Sequence, residues 1–198
     1  MSGDDQTLAV YNSQTEEYAA MMAREAAEDP MIGRFIAACP PGGRVLDLGC
    51  GTGHYAKIMA EAGLAVEAMD AAEQMVARAA QVPGVKARLG RFEDLDAQDA
   101  YDGIWAYFSL LHAPRAEMPG HLARIAFALR PGGTLFLCMK RGQAGKRDSL
   151  GRYYEYYERE DLEALLRDAG LTPQDHWFGK TRGMAGHLEG WVLISAHA

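Results

Sequence analysis

The chain has 198 residues, 48% hydrophobic and 24% charged, which suits one packed domain over residues 1–198 and excludes the disordered, collagen-like and coiled-coil classes. Its formal charge of −7, from 20 basic against 27 acidic side chains, repels a phosphate backbone, so no nucleic-acid partner is expected; the local basic concentration Arg141, Lys146, Arg147 and Arg152 reads as a solvated loop. Cys39, Cys50 and Cys138 lack metal-binding or disulfide spacing, no apolar run approaches the ~20 residues of a bilayer span, and Met1 to Thr7 lacks the parts of a signal peptide; no metal and no membrane insertion are expected, and the cytoplasm is the default location.

In chain order, the first residues read as a flexible tail. Ser13 and Glu16 have capping-box spacing, and Tyr18, Met21 and Met22 supply the apolar face of the helix that follows. Asp29-Pro30 ends it, Ile32, Phe35 and Ile36 mark a second short helix, and Pro40-Pro41-Gly42-Gly43 closes that one. From Arg44 short apolar runs alternate with helical periodicity, the pattern of a parallel sheet covered by helices. Strands are predicted at Arg44–Leu48, Ala65–Met69, Lys86–Leu89, Gly103–Tyr107 and Thr134–Met139, with two more near Asp175–Gly179 and Gly190–Ala196. Helical faces are predicted from Tyr55, Ile58, Met59 and Ala62, from Leu122, Ile125, Ala126 and Leu129, and from Leu162, Leu165, Leu166 and Ala169, with Gly170 as terminator.

Chemistry concentrates where the first strand ends, in Asp47-Leu48-Gly49-Cys50-Gly51-Thr52-Gly53. Glycines let a ligand lie against the backbone of the turn. The spacing is G-x-G-x-G, not the G-x-G-x-x-G of a pyrophosphate site, and Asp47 adds a negative charge. A carboxylate repels a diphosphate and attracts an ammonium, so the ligand should carry a cation near this turn. Asp70, 21 positions after Gly49 at the end of the second predicted strand, stands where an acid accepts hydrogen bonds from ribose hydroxyls. A helix cap is the alternative reading of Asp70.

These residues, with Leu129-Arg-Pro-Gly-Gly-Thr134 before the fifth strand, resemble the class I S-adenosylmethionine-dependent methyltransferases over about Arg44 to Gly170, and more loosely their tellurite-resistance-like and ubiquinone-biosynthesis-like small members. The resemblance implies an α/β, Rossmann-like fold: a seven-stranded, mostly parallel sheet with helices on both faces and residues 1–43 as an N-terminal helical lid. Residues 44–140 would form the cofactor-binding core, and 141–198 the substrate-side loop, helix and final strands. It implies S-adenosyl-L-methionine as cofactor, with Gly49, Cys50, Gly51 and Asp47 at its methionine end, Asp70 on the ribose, and Ala71, Met75, Phe92 and Glu93 around the adenine; Met75 and Phe92 serve equally well as core residues. Ala106 and Tyr107 would pass closest to the sulfonium, with Ser109 and His112 at the substrate mouth. His112 has a pKa range suited to removing the acceptor's proton, and a structural histidine is its other reading.

Tyr11, Tyr18, Tyr154 and Tyr157 supply apolar area with polar tips for closing over a small molecule, or for packing alone. Tyr18 and Tyr154 join His112 as catalytic candidates. Tyr11, Ser109, Arg141, Arg152 and Tyr157 are candidates for binding the acceptor. The family's Asn-Pro-Pro-Tyr motif for methylating amines of DNA or protein is absent, which favours a small-molecule acceptor. Two other readings share parts of this pattern: a nicotinamide-dependent oxidoreductase, which the glycine spacing and Asp47 disfavour, and a catalytically silent cofactor-binding or interaction module.

Overall fold

The computed structural model describes residues 4–198; Met1, Ser2 and Gly3, part of the stretch read as a tail, lie outside the described residues. The N-terminal segment forms three helices, α1 (Asp5–Ser13), α2 (Thr15–Glu28) and α3 (Pro30–Ala38). The first corrects the tail reading: Asp4 caps α1, its Oδ1 accepting the Thr7 N–H at 2.8 Å. The capping box is corrected too, because Ser13 is the last residue of α1, its Oγ donates to the Val10 carbonyl at 3.0 Å, and α2 begins beyond the break at Gln14. Asp29 does cap α3, through the Met31 N–H at 2.9 Å, and Pro30 sits in the first turn, where its missing N–H sacrifices no helical bond.

The alternating part follows as β1 (Arg44–Leu48), α4 (His54–Glu61), β2 (Ala65–Asp70), α5 (Glu73–Ala79), β3 (Val85–Leu89), β4 (Tyr101–Tyr107), α6 (Met118–Ala128), β5 (Leu129–Lys140), β6 (Lys146–Arg147), β7 (Tyr153–Tyr154), α7 (Arg159–Asp168), β8 (Thr172–Arg182) and β9 (Leu188–His197). One seven-stranded sheet has the order β3-β2-β1-β4-β5-β9-β8. The first five strands are mutually parallel, and β9 runs against both of its neighbours. Each predicted strand is present. The last two run past their apolar stretches because ladder pairing from Thr172↔His197 to Arg182↔Leu188 carries them. Leu129 leaves the predicted helical face, pairing with Tyr101 at the start of β5. The β6–β7 hairpin, two residues a strand and without apolar alternation, is not among the predicted elements.

Alternation along the strands divides the core in two. Leu46, Ile104, Ala106, Leu135 and Leu137 face α6 and α7, packing with Leu122, Ile125, Leu162 and Leu166. Val45, Trp105, Phe136 and Cys138 face the other way, against Phe35 of α3 and Ala56 and Met59 of α4. The strand order reverses between β1 and β4, and a crevice opens at their carboxyl ends, where open α/β sheets bind ligands. Among the described residues, no helix is long and apolar enough to cross a membrane.

Candidate active site

The turn after β1 is tied to the end of β2: the N–H groups of Gly49 and Cys50 both donate to the Met69 carbonyl, at 2.7 and 3.1 Å. Gly49 and Gly51 have φ of +78° and +52°, in the left-handed region that side chains disfavour. Neither has room for a Cβ, which would stand 2.2 Å from the Ser109 Cβ at Gly49 and 2.7 Å from the Tyr18 ring at Gly51. Asp70, at the end of β2, accepts the Gly51 N–H on Oδ2 and the Ala72 N–H on Oδ1, both at 2.8 Å. The same carboxylate therefore fixes the glycine turn and caps the approach to α5, and Asp70 lines a cavity.

Two cavities meet over this turn, sharing Tyr11, Tyr18, Gly49 and Phe108. The first, of about 630 Å³, is lined by Gly51, Asp70, Ala71, Met75, Phe92, Ser109 and His112, with Thr7, Leu8 and Tyr11 of α1 across it. The second, of about 720 Å³, is lined by Asp47, Cys50, Tyr107, Lys140, Arg152 and Tyr154, with Tyr18, Met21, Met22 and Glu25 of α2 across it. Asp47 is 2% exposed and its Oδ2 has no hydrogen-bond partner. Burial, and next the charge of Asp70, push its pKa up to about 8. The Ser109 Oγ is likewise buried without a partner beside Gly49.

A polar chain crosses the junction of the cavities. His112 Nδ1 lies 2.6 Å from the Tyr153 carbonyl oxygen, which can only accept, so Nδ1 carries the ring proton and Nε2 is the acceptor. The Tyr11 hydroxyl, 2.8 Å from Nε2, donates to it and receives an N–H from Arg152 at 3.1 Å. Arg152 is in turn held by Asp148, with Nε at 3.0 Å and Nη2 at 2.7 Å from Oδ2. Burial lowers the His112 pKa to about 4, so the imidazole is neutral at pH 7. The Tyr154 ring stacks at a tilt on His112, centroids 4.7 Å apart, and the Lys140 ammonium lies 3.7 Å from the ring centre.

Four sequence candidates lie outside both cavities. Ala106 is on the α6 side of the sheet, because alternation sends its neighbours Trp105 and Tyr107 to the opposite face. Tyr157 is fully buried under the Arg115 guanidinium, 4.2 Å from its ring centre. Arg141 pairs with Glu158 at 2.8 Å on the surface. Glu93 lies in the short turn after β3, and Phe92 beside it is the one that reaches the first cavity. Arg152 corrects the solvated-loop reading of the basic run, being 2% exposed. Sequence reasoning passed over Thr7, Leu8, Phe108 and Lys140. Phe108 has a left-handed φ of +54°, a conformation its residue type does not announce. Lys140 ends an apolar strand, and that position is its one sequence signal.

Residues 18–176 match the family described as Methyltransferase domain. The ubiquinone biosynthesis O-methyltransferase of Xanthomonas axonopodis pv. citri (strain 306) is 32% identical over 159 residues, spanning 69% of this chain and 65% of that protein. That of Xanthomonas campestris pv. campestris (strain B100) is 35% identical over 158 residues, spanning 68% and 65%. The match thus covers 65% of the length of these relatives. Among solved structures, the 1,6-didemethyltoxoflavin-N1-methyltransferase of Burkholderia thailandensis, with bound 1,6-didemethyltoxoflavin and S-adenosylhomocysteine, superposes with a TM-score of 0.77 at 25% identity, covering 96% of this chain and 87% of that one. A TehB-like SAM-dependent methyltransferase from Corynebacterium glutamicum shares the fold, with a TM-score of 0.71 at 19% identity over 93% of this chain and 97% of that one. A match across residues 18–176, on a sheet of this order, settles the family: the chain belongs to the S-adenosylmethionine-dependent methyltransferases.

Proposed function

We propose that the chain transfers a methyl group from S-adenosylmethionine to a small acceptor. The observation that carries this reading is the placing of two acids on either side of one glycine turn, Asp70 in the first cavity and the partnerless Asp47 oxygen on the wall of the second. The residues fit the cofactor. Asp47 suits the ammonium of its amino-acid end, Asp70 the ribose hydroxyls, and Ala71, Met75 and Phe92 the faces of the adenine. When bound, the cofactor supplies an electrophilic methyl on a sulfonium; the acceptor's lone pair forms the new bond, the C–S electron pair stays on sulfur, and the acceptor's proton leaves.

The chain's own part is alignment, exclusion of water and removal of that proton. Tyr18, Tyr107 and Tyr154 wall the second cavity, and α1 and α2 cover both. With a pKa of about 4, His112 is a weak base; its Nε2, which Tyr11 occupies here, takes the proton of an acceptor hydroxyl as the methylated oxygen becomes a strongly acidic oxonium.

Thermal unfolding tests the cofactor. S-adenosylhomocysteine at saturation should raise Tm by mass action while NAD leaves it unchanged, and Asp70→Ala should abolish the rise. A rise with NAD alone, or no rise with either sulfur nucleoside, would sink the proposal.

A further inference from the structure

Three members of the basic run, Lys146, Arg147 and Arg152, line a third cavity, of about 790 Å³, that opens between the β6–β7 hairpin and the β8–β9 turn. Lys140, Lys146, Arg147 and Arg152 line it against two carboxylates, Asp148 and Glu189, in a chain whose formal charge is −7. Lys140, Arg152 and Gly183 also line the second cavity, so this cleft adjoins it.

The partition between the two is costly to build. Lys140 is 7% and Arg152 2% exposed. Lys140 is held between Glu189 and the Tyr154 ring, and Arg152 by Asp148 and the Tyr11 hydroxyl. Paired apolar residues would fill such a wall with equal or better stability, since burying ions costs solvation that their partners only partly restore. The positive charge is also incompletely matched. Glu189 serves both Lys140 and Lys146, the latter at 3.5 Å, and the Arg147 partner, Asp4 at 3.0 Å, comes from the cap of α1 and not from the cleft. On the inner side, Tyr18, Tyr55, Tyr107, Phe108 and Tyr154 give the second cavity flat aromatic walls.

We propose that the methyl acceptor is a planar aromatic carboxylate, which lies with its ring among these tyrosines and its carboxylate toward Lys146 and Lys140. This rests on the methyl-transfer reading above and adds the chemical class of the acceptor. The carboxylate sets direction: it draws one end of the molecule to the cationic cleft, so the other end is the one presented to His112 and the cofactor.

The test titrates protein saturated with S-adenosylhomocysteine with 2-naphthoate and with 2-naphthamide, which match in shape and differ in charge. Naphthoate should bind roughly tenfold more tightly, and the difference should shrink as salt is raised. Lys146→Glu, at a side chain 61% exposed and outside the packed core, should remove most of the preference and leave naphthamide unaffected, with Lys146→Gln intermediate. Absent naphthoate binding, equal binding of the pair, or a preference unmoved by Lys146→Glu overturns the acceptor class. Binding of S-adenosylhomocysteine is read first in the same cell; its absence sinks the methyl-transfer reading itself, whereas its presence with no naphthoate preference sinks this inference alone.

Discussion

A carboxyl group with one oxygen buried and unpartnered, as at Asp47, titrates far from its ordinary range, and burial followed by the charge of Asp70 places it at about 8. In the unfolded chain the same group ionises near 3.8. Between those values the folded apoprotein holds a proton that the unfolded chain has released, so this group lowers stability progressively as pH rises through the window. His112 acts with the opposite slope. Its pKa falls from 6.5 to about 4 on burial, so the unfolded chain binds a proton first and stability is lost as pH falls from 6.5 toward 4. The difference in Tm between the native protein and Asp47→Asn should therefore widen from pH 4 to pH 8, in favour of the variant. The difference between the native protein and His112→Asn should instead vary between pH 6.5 and 4. An ammonium beside Asp47 restores the ionised form, so binding S-adenosylhomocysteine at pH 7 should release a proton, detected as a dependence of the calorimetric heat on buffer. Asp47→Asn should lose that release and bind about tenfold or more weakly, in line with the ~1.5–3 kcal/mol of a charged hydrogen bond. A variant with native affinity and native proton release would remove Asp47 from the site.

At the scale of the element, α1 is held in a way that differs from every helix packed on the sheet. Thr7 is its buried residue, and its ties are polar: the Tyr153 N–H to Thr7 Oγ1 at 2.9 Å, Tyr11 to His112, the Gln74 N–H to Asn12 Oδ1 at 3.0 Å, and exposed pairs of Asp4 with Arg147 and Asp5 with Arg91. Such bonds contribute about 0.5–1.5 kcal/mol each when neutral and about 0–1 kcal/mol when exposed ion pairs. By contrast α6 buries Met118, Leu122, Ile125 and Ala128. Thr7, Leu8 and Tyr11 line the first cavity; if α1 yields to admit a ligand, amide exchange across residues 5–13 should be faster than across 118–128 and should slow on adding S-adenosylhomocysteine. Exchange in α1 as slow as in α6 without ligand would argue for a fixed wall. The same chemistry explains what could be read in advance. The glycine turn and Asp70 are local signals, legible because conformation and charge are carried by neighbouring residues. The sequence of α1 has little apolar periodicity and finds its partners 62 to 146 positions away, as Asn12 does in Gln74 and Thr7 in Tyr153, so it reads as a tail. Lys140 and Arg152 meet Tyr154 and Tyr11 only through the fold.

For the whole molecule, the strand runs were legible because both faces of the sheet are covered, which demands apolar side chains in succession; the short β6–β7 hairpin buries no such face and left no pattern. The two cores share one sheet as their common wall. Phe35 presses on β4 so closely that a Cβ at Gly103 would come 2.9 Å from its ring, and Leu122 packs with the opposite face. Both are fully buried. Phe35→Ala should cost about 3–5 kcal/mol and Leu122→Ala about 2–5 kcal/mol, lowering Tm by roughly 2–4 °C per kcal/mol in a domain of this size. Because the two side chains lie in separate clusters, the double variant should show nearly the sum of the single losses. The sheet also couples the faces: losing either layer exposes strands that the other layer needs as its floor. Calorimetry should therefore show a single transition in the native protein and in all three variants, shifted but not split. Two resolved transitions, one moved by Phe35→Ala and the other by Leu122→Ala, would mean that the layers unfold independently and that the crevice between β1 and β4 is not held by one cooperative unit.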